Sequence, residues 1–346
     1  MLIKKFNSQI SSPSYHFADY LLKRVKKHKS VLVVGLDPQI EEIPDLLHDK
    51  AQKNSLTDED FIHNLLTDYY RGVLIQIAES ILAIKPNIAF FEQFGIGGLR
   101  AFATVISIAK ELKVPIIADI KRGDIGSTAT AYANAYLPAR RSYRNSLNEF
   151  AVDAITISPF LGLDSLSPII SVAKDHGKGV FILVKTSNEG SKDLQDKILS
   201  DAQISVSQQV AEWITSLGEG SHGESGYSLL GAVVGATFPE HLAFFRSLLT
   251  SELFLIPGVG SQGGAVQDIA PAFSTSSNCL GPGAVVNVSR GIFKDAFMKV
   301  YRQNHRDFSS EQLNCKNDQF KQWNNEIINL VRSFNQSLQS VISSQD

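Results

Sequence analysis

The densest run of ionisable side chains is Asp119-Ile120-Lys121-Arg122-Gly123-Asp124-Ile125. Asp119 and Lys121 stand two apart at the end of an apolar stretch, a spacing that points both side chains to one face of a strand. Asp124 follows after a turn at Gly123. Acid, base and acid in one pocket keep the lysine charged and hold it in place. Charges at a buried strand end are costly without a use, so the run reads as chemistry, the alternative being a salt-bridged loop rim. Lys85, ahead of Pro86 and Asn87, ends another apolar stretch, and Asp37, in Gly35-Leu36-Asp37-Pro38, ends a third. Singly, each could be a rim residue or a turn. Together with Asp119 and Lys121 they share one pocket, provided the fold gathers the strand ends.

A second kind of site is suggested by Gly258-Val259-Gly260-Ser261-Gln262-Gly263-Gly264. It matches GxGxxG after a strand-like run, which invites a dinucleotide reading. Against that, it lies late in the chain, and the strand about 20 residues on leads to Asn287 and Arg290 rather than an acid. In an eight-stranded barrel, a glycine-rich loop after the seventh strand and the end of the eighth make a phosphate site. Backbone N–H groups approach the phosphate where no side chains intrude, and a helix N-terminus adds a favourable field. Arg290, before Gly291, would supply a bidentate charge. The alternative is a glycine turn that binds nothing. Another run ends in Lys185-Thr186-Ser187-Asn188, whose hydroxyls and amide suit either a polar ring edge or a helix cap.

Those residues need a frame. Eight short apolar runs recur along the chain, at 31–36, 81–85, 114–119, 154–157, 179–184, 229–234, 254–257 and 283–288. Continuous apolar runs of this length suit parallel strands buried on both faces. Between them lie stretches with helical spacing, such as Phe61, Leu65, Tyr69, Leu74 and Ile77, or Leu99, Phe102, Val105, Ile108 and Leu112. Alternation of this kind predicts an α/β fold, and eight units predict a closed (β/α)8 TIM barrel whose strand ends converge on one face. An N-terminal helix, loop insertions and a C-terminal helical extension complete the expected architecture. The barrel is expected over 1–300 and the extension over 301–346. The insertions are a polar loop at 40–60 and an Arg-bearing segment at 138–150 with Arg140, Arg141 and Arg144; 187–200 and 217–227 are also polar. Leu313, Phe320, Trp323, Ile327, Val331, Phe334 and Leu338 carry the helical spacing of the extension.

Composition excludes several classes. The chain has 346 residues with 33 Lys and Arg against 35 Asp and Glu, a formal net charge of −2, so no global field draws it to nucleic acid or a membrane surface. No apolar run is long enough for a bilayer span, and no secretory leader is read at Met1-Leu2-Ile3-Lys4-Lys5-Phe6. The two cysteines, Cys279 and Cys315, make no disulfide framework, and the eight histidines fall in no HxxxH or HExxH spacing. A cytoplasmic protein without a zinc site is expected.

The string Asp119-x-Lys121-x-x-Asp124 with Ile125 and Thr128 resembles the signature of the orotidine 5′-phosphate decarboxylase family. Ser158-Pro159-Phe160-Leu161-Gly162 and Gly235-Ala236-Thr237-Phe238-Pro239-Glu240 are similar to its longer bacterial-type subgroup, and the resemblance runs from about residue 30 to about residue 293. The resemblance implies a (β/α)8 barrel, usually a homodimer with shared sites. It converts orotidine 5′-monophosphate to UMP and CO2, the last step of de novo pyrimidine synthesis, without metal or organic cofactor. It assigns Lys121 as the general acid to C6 of the pyrimidine and sets Asp119 beside the departing carboxylate. Asp124 reaches into the partner's site with Thr128, and Lys85 and Asp37 meet the ribose hydroxyls. Ser187 meets the pyrimidine edge, and Gln262 and Arg290 meet the phosphate, with backbone N–H groups near Gly260 and Gly291. Association with orotate phosphoribosyltransferase, which makes the substrate, is a further expectation. Two alternatives remain at this point. One is a related Mg2+-dependent barrel acting on a sugar phosphate, such as a keto-gulonate-phosphate decarboxylase or hexulose-phosphate synthase; those relatives carry a metal-binding Glu where this chain has Lys85. The other is a barrel that binds nucleotides without turnover.

Overall fold

A computed structural model describes residues 15–138, 148–260, 264–273, 278–301 and 312–344. The Arg140, Arg141 and Arg144 segment and Gln262 lie outside the described residues.

Eight strands form one parallel sheet: β1 Leu32–Leu36, β2 Ala83–Pro86, β3 Ile117–Arg122, β4 Ala154–Ile157, β5 Gly179–Lys185, β6 Leu230–Val234, β7 Leu253–Ile256 and β8 Ala284–Val288. The helices are α1 Phe17–His28, α2 Asp45–Lys53, α3 Asp58–Ile77, α4 Ala89–Glu92, α5 Gly95–Glu111, α6 Gly126–Tyr136, α7 Leu163–His176, α8 Val206–Gly218, α9 Pro239–Leu248, α10 Arg290–Tyr301 and α11 Gln312–Ser343. The strand order is β2-β1-β8-β7-β6-β5-β4-β3. Bridges from Ile84 to Ile116 and from Asn87 to Asp119 join the two ends, so the sheet closes as the expected barrel.

The alternation of side chains sorts each strand into two cores. Leu32, Val34 and Leu36, with Ile84, Ala118, Ile155, Val180 and Val286, pack outward on the helices. Val33, Ala83, Ile117, Ala154, Phe181, Val233, Leu255 and Val285 fill the interior. Phe17, Leu21 and Leu22 of α1 join the interior core and plug its N-terminal end. Arg24 holds that plug by donating to the carbonyls of Leu82 and Lys113, 3.0 Å each. The same alternation carries the next interior positions, Lys85, Asp119, Thr156 and Asn287, to the C-terminal end of the barrel.

One segment differs from the expectations. Residues 40–60 are not a loop: a 3-10 turn at Ile40–Glu42 leads into α2, whose Leu47 and Ala51, one helical turn apart, are buried. The expected C-terminal helix is present and packs on the wall of its own barrel. Trp323, Ile327, Val331, Leu338 and Val341 belong to the same core as the outward faces of the strands. Trp323 stacks on Tyr69 at 5.3 Å between ring centroids. Asn335 accepts from Ser30 Oγ at 2.7 Å and donates to the Ser80 carbonyl at 2.6 Å, tying the helix to the starts of β1 and β2. No described helix is long and apolar enough to cross a membrane.

Candidate active site

The interior ends of β1, β2 and β3 bring Asp37, Lys85, Asp119 and Lys121 together. Lys85 and Asp119 are buried, 5% and 6% exposed, and form an ion pair through Asp119 Oδ2. Lys121 Nζ lies 2.5 Å from Asp119 Oδ1, with its side chain 48% exposed toward the mouth. Thr156 Oγ1 donates to the same Oδ1 at 2.9 Å. Both carboxylate oxygens are therefore occupied, one by Lys85 and one by Lys121 and Thr156.

The electrostatics follow from this crowding. Burial alone would raise the Asp119 pKa, but the Lys85 and Lys121 ammoniums and their hydrogen bonds outweigh it and hold the carboxyl well below the usual range. Burial likewise opposes charge on Lys85, yet the Asp119 and Asp37 carboxylates overcome it and raise its pKa. Its pairing with Asp119 favours the charged form of Lys85. Asp37 Oδ1 is buried with no hydrogen-bond partner among the described residues, as is Asn287 Oδ1 on β8. A methyl group on Gly35 would meet Asn287 Oδ1 at 3.1 Å, so this amide lies against β1 inside the barrel. Two orphaned acceptors in a polar interior suit hydroxyl donors of a ligand.

Lys121 has φ +44°, the left-handed region that side-chain-bearing residues rarely adopt. Beyond it, Asp124 is half-buried and its Oδ1 accepts the N–H of Ile125 at 2.8 Å. Thr128 is exposed on α6. Neither is joined to Asp119 by a hydrogen bond or ion pair within the described residues. Ile125, Phe160 and Leu161 are exposed on the loops after β3 and β4, as is Leu163 at the start of α7.

After β5, Ser187 packs against Gly235, where a methyl group would fall 2.8 Å from Ser187 Cβ. This loop is clamped. Gln195 accepts from the Thr186 N–H and donates to Thr186 Oγ1, 2.9 Å each. Lys185, 2% exposed, pairs with Asp196 at 2.6 Å. Lys185 is thus buried against a carboxylate of its own loop, whereas the paired Lys121 stays half exposed.

At the seventh and eighth strand ends, Gly260 has φ +81°, a conformation that favours glycine. Its N–H, expected to be free, donates to the Gly264 carbonyl at 2.9 Å. Arg290 is exposed at the start of α10. Ile292 and Phe293 donate to the Ser289 carbonyl, while Arg290 and Gly291 hold first-turn N–H groups that no intrahelical acceptor can take. Gly291 is walled by Val288 and Phe334: a methyl group there would lie 3.2 Å from each.

Residues 30–300 match the model of the orotidine 5′-phosphate decarboxylase / HUMPS family. This chain belongs to that family. An orotidine 5′-phosphate decarboxylase of Rhodopirellula baltica is 40% identical over 276 residues, covering 80% of this chain and 87% of that protein. One from Caldicellulosiruptor bescii is 37% identical over 279 residues, covering 80% and 89%. The solved structure of Leishmania donovani OMP decarboxylase, 29% identical, superposes with a TM-score of 0.61 over 90% of this chain and 99% of that one. The charged array sits where the family match and the barrel face coincide. A different cleft, of about 570 Å³, lies at the opposite end of the barrel beside α1. Within it Asp19 accepts from the N–H groups of Glu224 and Ser225, and His16 bonds the Ser221 carbonyl.

Thr156 and Phe334 were not singled out by sequence reasoning. Thr156 left a faint signal, one polar residue on an interior position of Ala154-Ile155-Thr156-Ile157. Phe334 left none, since it reads as one more apolar position of a helix.

Proposed function

We propose that this chain converts orotidine 5′-monophosphate to UMP and CO2. The observation that carries the proposal is the Lys85–Asp119–Lys121 array at the mouth of the barrel, with Asp37 beside it. The substrate carboxylate would lie next to Asp119. When the bond from C6 to the carboxylate breaks, CO2 leaves and the electron pair stays on a vinyl carbon that the ring stabilises poorly. An ammonium fixed at that carbon stabilises the charge and then delivers its proton. Lys121 suits this task because its ammonium reaches the mouth, whereas Lys85 is buried and committed to Asp119. The phosphate is remote from the reacting bond, and its binding near Arg290 and Gly291 would hold the ring in place. Asp37 and Lys85 meet the ribose, and Ser187 meets the pyrimidine edge.

The family also contains sugar-phosphate enzymes, but Asp119 argues against that chemistry. Both of its oxygens are neutralised by ammoniums, and a dication set beside Lys85 and Lys121 would be repelled. The outward placement of Asp124 and Thr128, within an exposed apolar surface, supports a homodimer in which they complete the partner's site.

Loss of orotidine 5′-monophosphate absorbance, with and without EDTA, tests the proposal. Rapid, EDTA-insensitive formation of UMP is expected. Lys121→Ala should bind UMP yet fail to turn over. Folded wild-type protein without conversion, or a Lys121→Ala variant with near wild-type turnover, would overturn it.

A further inference from the structure

We propose that Thr156 is a positioning residue for the decarboxylation: its hydroxyl holds the bulge of β3 that aims Lys121, and the same hydroxyl orients the Asp119 carboxylate. This rests on the roles given to Lys121 and Asp119 above.

β3 and β4 pair at Ile117 with Ala154 and at Ala118 with Ile155, and next at Arg122 with Ile157. Four steps along β3 thus run beside two steps along β4. The surplus has to be stored between the two pairings, as in any β-bulge. The N–H groups of Ile120 and Lys121 fall in that stretch, where the regular ladder is interrupted. Both donate instead to Thr156 Oγ1, 3.1 Å each. The hydroxyl's one proton goes to Asp119 Oδ1 at 2.9 Å. A threonine hydroxyl has one proton and two lone pairs, and all three are in use. Ladder pairing resumes where Ser158 donates to the Arg122 carbonyl at 2.9 Å.

Lys121 sits at the apex of this bulge with its positive φ, a conformation that persists only where surroundings over-determine it. Its ammonium is returned to Asp119, two residues earlier, at the oxygen that Thr156 also holds. One side chain therefore fixes the backbone of the proton donor and the orientation of its carboxylate. Thr156 is 2% exposed, and valine would match its shape without replacing the hydroxyl. Packing alone does not require a threonine here.

The test compares Thr156→Val and Thr156→Ser with the wild type, measuring kcat, KM for orotidine 5′-monophosphate and affinity for UMP. Misplacing the donor by about 1 Å should lower kcat of Thr156→Val on the order of 100-fold. KM and UMP affinity should stay within about 3-fold, and Thr156→Ser should keep kcat within about 3-fold, because only the transition state needs the aimed ammonium. A Thr156→Val enzyme with wild-type kcat, or a Thr156→Ser enzyme as impaired as it, would overturn the role of Thr156 while leaving the proposed reaction intact. Where Thr156→Val does not fold, Thr156→Cys decides: its thiol accepts weakly, so a loss of kcat beside an active Thr156→Ser supports the role, and equal kcat overturns it. A wild-type protein without turnover would remove the reaction itself, and this role with it.

Discussion

Replacing Asp119 by Asn should destabilise the barrel in a way that alkaline pH partly repairs. Lys85 and Asp119 are 5% and 6% exposed, so each charge depends on the other. Asn keeps the volume and removes the negative charge, leaving a buried ammonium with Asp37 as the remaining carboxylate named in its field. Breaking a buried pair from one side costs about 3–5 kcal/mol. With an unfolding entropy of about 2.1 cal/mol/K per residue over 346 residues, the melting temperature should fall by about 4–7 °C at pH 7. The pH dependence follows from the causes acting on Lys85. In the wild type its pKa is raised above the unfolded value. The stability it contributes is present below the unfolded pKa and is lost only as pH rises through the folded one. Without Asp119, burial outweighs the pull of Asp37 and the folded pKa should drop below the unfolded value. Between those two values the unfolded chain binds more protons, so stability rises with pH. The gap in melting temperature between Asp119→Asn and wild type should therefore narrow between neutral pH and about pH 10. Melting scans of both proteins in matched buffers measure it. A gap that is absent at pH 7, or that widens with pH, would refute the view that Asp119 keeps a buried Lys85 charged.

Three other outcomes are expected. Arg290→Ala would remove the proposed charge-assisted phosphate contact and should raise KM by about 10- to 100-fold; an unchanged KM in steady-state kinetics would place the phosphate elsewhere. Lys121→Ala and Asp124→Ala proteins, each inactive alone, should recover about a quarter of wild-type activity when subunits exchange fully, since half of the dimers are mixed and each rebuilds one site; no recovery with exchange proven by mass would argue against a shared site. Trp323→Ala, at a fully buried position on α11, should cost about 3–5 kcal/mol in urea unfolding, and an unshifted midpoint would contradict the placement of α11 in the core.

The legible and illegible parts of this molecule divide on a physical line. Parallel strands buried on both faces must be apolar throughout, so all eight could be read from local runs, within about three residues of their bounds. β3 shows the largest offset, because its apolar run stops at Asp119 while the strand continues through the charged bulge to Arg122. α2 escaped because only Leu47 and Ala51 of its nine residues are buried, too few for a pattern among so many charges. The same contrast separates the site residues. Asp119, Lys121, Lys85 and Asp37 announce themselves because a charge at the end of an apolar run is expensive unless something uses it. Thr156 and Phe334 carry no such mark, since threonine is ordinary in a strand and phenylalanine ordinary on a helix. What makes Thr156 special is a register shift against β3, and what makes Phe334 special is its contact with Gly291. Both are properties of chain segments far apart in sequence. The carriers of charge can therefore be found from composition along one strand, while the part proposed for Thr156 becomes visible only once β3 and β4 are laid side by side.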